Sequence, residues 1–177
     1  MAYQNIEQRK FTFCPMLASY DFNLLVIECH YCTRFFAACC PHQSFGGDWY
    51  GLKPSCHHFQ LVFTDGACSK NGRDDTKAGL GITIGTSEEF CWSVPVDDAV
   101  DPGAARTNQR AELLAAIEGL KKLEEESPFP RDHEALAEHH KEEYKAIYII
   151  ITDSEYVVKG ITEWFPTWRV CPRHCHY

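Results

Sequence analysis

A chain of 177 residues with 45% apolar side chains can bury the core of one ordinary domain and a small appendage. No run of about 18 uncharged apolar residues occurs, which excludes a helical membrane span, and no membrane partner is expected. The net charge of −8 argues against a polyanionic partner, but much of it sits in residues 124–143, where Glu124, Glu125, Glu126, Asp132, Glu134, Glu138, Glu142 and Glu143 face only Arg131 and Lys141.

Residues 1–58 lack clear periodicity and mix Cys, His, Phe and Tyr with few charges, so they read as an N-terminal extension. The apolar run Leu24 to Ile27 follows Asp21, where a secretory leader needs positive charge, and an intracellular protein, nuclear or cytoplasmic, is expected. Six of the ten cysteines (Cys14, Cys29, Cys32, Cys39, Cys40 and Cys56) fall in this extension. Without a secretory signal, metal binding or reduced thiols fit better than a disulfide framework. Cys29-x2-Cys32, with Cys39, Cys56 and His58 downstream, supplies ligand types suited to a tetrahedral Zn²⁺ site. The competing reading is that these cysteines pack beside Phe35 and Phe36 as small apolar residues.

From about residue 60 the pattern sharpens. Gln60 to Thr64 reads as a strand, Cys68 to Lys77 as a polar turn, Gly79 to Ile84 as a second strand and Phe90 to Val94 as a third. Thr107 or Asn108 caps a helix whose apolar positions Leu113, Leu114, Ile117, Leu120 and Leu123 recur at helical spacing. Ser127-Pro128-Phe129-Pro130 interrupts, and a charged, exposed helix over 132–143 is expected within a solvated acidic insertion. Ala146 to Ile151 reads as a strand buried on both faces. Ser154 then caps a helix running to about Trp164 and stopped by Pro166. Three strands, a helix, a strand and a helix make an α/β domain with a mixed sheet of about four recognisable strands.

Three acids stand out on this outline. Asp65 follows Leu61-Val62-Phe63, Asp153 follows Ile147 to Ile151, and Glu112 lies in the first turn or so of the central helix. If the two strands are parallel neighbours, both aspartates project from one sheet edge and Glu112 can point back at them. Burying carboxylates unpaired is costly, and hard cations such as Mg²⁺ prefer oxygen ligands. Taken singly, each acid also reads as a capping, turn or surface residue.

Thr64-Asp65-Gly66-Ala67-Cys68 with Asn71-Gly72 and Ala78-Gly79-Leu80-Gly81 resembles the first hairpin of type 1 ribonuclease H. Arg106-Thr107-Asn108-Gln109-Arg110-Ala111-Glu112-Leu113 and Thr152-Asp153-Ser154-Glu155-Tyr156-Val157 resemble the family's other two acidic motifs, in the same order. The resemblance implies a ribonuclease H-like domain over 59–169 that cleaves the RNA strand of an RNA–DNA hybrid, leaving 5′-phosphates, as a monomer. It implies two Mg²⁺ ions, with Mn²⁺ as a substitute, on Asp65, Glu112 and Asp153. Asn71, Asn108, Gln109 and Ser154 would contact the hybrid, and Trp164 and Trp168 would flank its DNA strand; the two tryptophans also read as core packing.

The family pattern continues with a fifth strand, a histidine-bearing loop and a last helix carrying a fourth aspartate. This sequence instead runs Val170-Cys171-Pro172-Arg173-His174-Cys175-His176-Tyr177. The expectation is therefore a four-stranded version with the fifth strand and last helix missing, an atypical tail over 170–177, and weak or absent cleavage. Two further readings stay open: a protein that binds hybrid without cutting it, and a zinc-stabilised interaction module.

Overall fold

The computed structural model describes residues 9–13, 15–30, 32–38, 57–70, 75–126 and 146–165. A single helical turn α1 (Phe22–Leu25) leads into β1 (Val26–Glu28), and β2 (Phe35–Ala37) returns antiparallel to it. The long strand β3 (Phe59–Ser69) forms a hairpin with β4 (Lys77–Thr83), and β5 (Cys91–Val96) extends the meander. Helix α2 (Asn108–Glu125) crosses the sheet, and β6 (Ile147–Ile151) then pairs parallel with β3. Helix α3 (Glu155–Lys159) continues into a π-helical turn, Gly160–Trp164. None of the described helices is long and apolar enough to cross a membrane.

Alternation along β3 divides the core. Val62 on one side packs with Ile82, Ile84 and Leu123 under α2, while Phe59 and Leu61 on the other pack with Ala37 and the partly buried Phe11, Phe13, Ile147 and Ile149. Two glycines let α2 lie close. A Cβ at Gly66 would sit 2.3 Å from the backbone of Ala111 and Glu112, and one at Gly119 would meet Thr64 Cγ2 at 2.6 Å.

The α/β mixed sheet stands as expected, but it has six described strands. The two extra ones come from the N-terminal extension. They lie in line with β4 on the same side of β3: Phe36 pairs with Gln60, and the Phe35 N–H donates to Ile84 O at 2.8 Å. A buried arginine fastens the attachment. Arg34 is 7% exposed and donates to Gln60 Oε1 at 3.0 Å and to the Glu126 carbonyl at 2.7 Å, linking this hairpin to β3 and to the end of α2.

Two local expectations fail. β3 does not end at Thr64, and Cys68 to Ser69 is not turn; the ladder from Phe63↔Thr83 to Ser69↔Lys77 holds the polar half extended, with Asp65 inside the strand. β6 is not buried on both faces: Tyr148 is 37% exposed and the isoleucines only partly covered, because β3 is its one neighbour among the described residues. The expected helix at 132–143, the region of the family's fifth strand and last helix, and the tail at 170–177 lie outside the described residues.

Replacing Arg34 with Met removes the two hydrogen bonds by which it ties the hairpin to Gln60 and to the Glu126 carbonyl. Chemical denaturation should show a loss of about 2 kcal/mol, in line with two lost hydrogen bonds to a charged donor.

Candidate active site

Helix α2 delivers Glu112, and its start is built to fix where that residue lies. Thr107 caps the helix by accepting the Arg110 N–H at 3.3 Å. The Arg110 guanidinium then donates twice to Asp101 in the preceding loop, at 2.9 and 2.6 Å. Arg106 donates to the Val96 carbonyl at 2.8 Å and to Asp98 at 2.9 Å, tying the same loop to the end of β5. Neither pairing is visible as a local motif; both depend on the loop folding back.

With α2 held there, one carboxylate oxygen of each of Asp65, Glu112 and Asp153 lies within 4.8 Å of the others. Asp65 lies within β3 and Asp153 two residues past the end of β6, its parallel neighbour. Asp65 and Asp153 are exposed, and Glu112 is buried at 8% exposure. The Gly66 N–H donates to Glu112 Oε2 at 3.2 Å. Burial and the Asp65 carboxylate, with a smaller push from Asp153, hold the Glu112 carboxyl above the usual range, while the Gly66 bond opposes the shift. Three negative groups packed this closely repel one another, and a divalent cation relieves that repulsion.

The surrounding residues are distributed unevenly. Asn108 and Gln109 are exposed in the first turn of α2. Ser154 accepts the Val157 N–H at 3.4 Å and caps α3. Trp164 is half-buried, its ring edge-on to Tyr156 with centroids 5.4 Å apart. Asn71 and Trp168 lie outside the described residues.

A second cluster gathers Cys29, Cys32 and His57, their ligand atoms also within 4.8 Å of one another. His57 replaces His58 in the set read from sequence. The two adjacent rings diverge: His57 stacks on Phe36 at 4.1 Å, while His58 lies edge-on to Phe59 at 4.6 Å. Cys39 and Cys56 are outside the described residues. Burial pushes the Cys32 thiol up to about 11.

The RNase H family model matches residues 58–176. Ribonuclease H of Treponema denticola is 34% identical over 108 residues, covering 61% of this chain and 61% of that protein. Ribonuclease H of Pseudomonas aeruginosa is 33% identical over 109 residues, covering 62% of this chain and 55% of that one. Human Ribonuclease H1 is 30% identical over 111 residues, covering 63% of this chain and 31% of that one. The chain thus spans between about a third and three fifths of these curated relatives.

Two expectations follow from the geometry. Gly66→Ala forces α2 away from β3 and should cost about 2 kcal/mol or more in a urea melt, because the added carbon meets backbone that cannot rotate aside. Arg110 hydrogen bonds hold the Asp101 carboxyl below the usual range, so the pair stabilises the fold above the ordinary aspartate value and stops doing so as pH falls through the depressed one. Asp101→Asn should therefore cost roughly 1 kcal/mol at neutral pH, a modest figure because the half-exposed Arg110 is screened by solvent. That difference should shrink as pH drops below about 4 in the same melts.

Proposed function

The chain belongs to the ribonuclease H family, and on that premise we propose that it hydrolyses the RNA strand of RNA–DNA hybrids. The observation that supports this reading is the convergence of Asp65, Glu112 and Asp153, acids from three separate elements, within 4.8 Å. Their chemistry fits a hard divalent cation: all-oxygen donors, excess negative charge, and one carboxyl whose ionisation is opposed by its neighbours. In this reading Asp65, Glu112 and Asp153 hold two Mg²⁺ ions, with Mn²⁺ as a substitute. Such ions, when bound, activate a water and stabilise the departing oxygen of a phosphodiester.

The protein's own part is positioning. The Gly66 N–H fixes one Glu112 oxygen and so sets the orientation of the carboxylate. The exposed Asp65 and Asp153 leave the cluster accessible to a phosphate from solvent. Asn108 and Gln109 stand four and three residues before Glu112 on the same helix. Their amides both donate and accept, so they can read the 2′-hydroxyls that line the minor groove of a hybrid and that a DNA duplex lacks.

The test is a gel assay with end-labelled RNA–DNA hybrid, with and without Mg²⁺, on the wild-type chain and on Asp153→Asn. Cleavage confined to the RNA strand, dependent on Mg²⁺ and reduced at least about 100-fold in the variant, is expected. Binding of hybrid with no Mg²⁺-dependent cleavage, or cleavage equal in the two proteins, contradicts the assignment.

A further inference from the structure

We propose that Cys29, Cys32 and His57 bind a single zinc ion that clips the N-terminal hairpin to the central sheet, at a site separate from the three carboxylates. The inference does not rest on the nuclease reading.

The turn between β1 and β2 is shaped to present its cysteines together. The Thr33 N–H donates to the Cys29 carbonyl at 2.7 Å, and the Cys29 N–H donates to the Arg34 carbonyl at 3.0 Å. Thr33 closes the turn in the left-handed region, at φ 53°. The third ligand approaches from another part of the chain. His57 lies two residues before β3, and its ring stacks on Phe36 with an interplanar angle of 12°, bringing Nε2 to 3.9 Å from Cys32 Sγ.

The dimensions suit a tetrahedral ion. Zinc–sulfur bonds of about 2.3 Å and zinc–nitrogen bonds of about 2.0 Å set neighbouring ligand atoms roughly 3.5 to 3.8 Å apart. The three ligand atoms here lie within 4.8 Å of one another, so small side-chain rotations complete the geometry. Two sulfurs and an imidazole select zinc over magnesium, the reverse of the carboxylate cluster. The fourth position is left to a water or a further side chain.

Packing alone explains only part of the arrangement. Cys29 is 1% exposed and serves the core as a small apolar group, but Cys32 and His57 are half-buried and add little apolar burial. A metal bond joining Cys32 to His57 closes the 24-residue stretch between them, a constraint on the unfolded chain that stabilises the attachment.

The 177-residue chain, purified under reducing conditions, should retain about one zinc per molecule by elemental analysis after dialysis, as the single-site reading requires. Exchange for Co²⁺ should produce the thiolate-to-cobalt charge-transfer band and the visible bands of a tetrahedral ion. Both signals should persist in Asp153→Asn and disappear in Cys32→Ser and His57→Gln, and thermal melts should shift downward when zinc is removed. The cobalt spectrum is read on the wild-type chain, so it decides even if a variant fails to fold. A wild-type chain without zinc, cobalt bound without the thiolate band, or full zinc content in a folded His57→Gln chain overturns the proposal.

Discussion

Helix α2 passes β3 so closely at Gly66 that no side chain fits between the two backbones. This single approach does two things. It puts Glu112, the residue at the contact point, beside Asp65 on the strand below, and it places the Gly66 N–H where it can hold the Glu112 carboxylate. Gly119 repeats the arrangement about two turns along the same helix, where the missing side chain makes room for Thr64 and Val62. Helix and strand therefore lie flush along their shared length, and the acidic cluster sits at one end of that contact. The burial and, after it, the repulsion from Asp65 that raise the Glu112 carboxyl both follow from the same closeness.

The described strands of the N-terminal part join this framework. β1 and β2 continue the sheet where β4 leaves β3, and Gly85 accepts their approach, since a Cβ there would lie 2.3 Å from the Thr33 carbonyl oxygen. Arg34 spans from this hairpin to β3 and the last turn of α2. Phe11 and Phe13, edge-on to each other at 5.0 Å, help cover the face of β3 and β6 opposite α2. The Cys29–Cys32–His57 cluster lies at the base of the same attachment, where β2 meets the start of β3.

What could be read from the sequence was what is encoded locally. The apolar runs before Asp65 and Asp153 read as strands because they are short, uncharged and bounded by polar residues, and Leu113 to Leu123 repeat at helical spacing. What escaped is set by distant partners. The three-residue strands β1 and β2 have no period to detect and exist through pairing with each other and with β3. Asp65-Gly66-Ala67-Cys68-Ser69 has the composition of a turn, yet the ladder with β4 keeps it extended. The Asp101–Arg110 pair joins a loop to a helix, and which of the adjacent His57 and His58 turns toward the cysteines is decided only by the fold.

The central claim is that Asp65, Glu112 and Asp153 act together as one site for divalent cations. Calorimetric titration of Mg²⁺ into the metal-free chain tests this without reference to substrate or turnover. Saturable binding in the wild-type chain that is lost in Asp65→Asn and again in Asp153→Asn is the expected result. Equal Mg²⁺ binding in the wild type and both variants would contradict it.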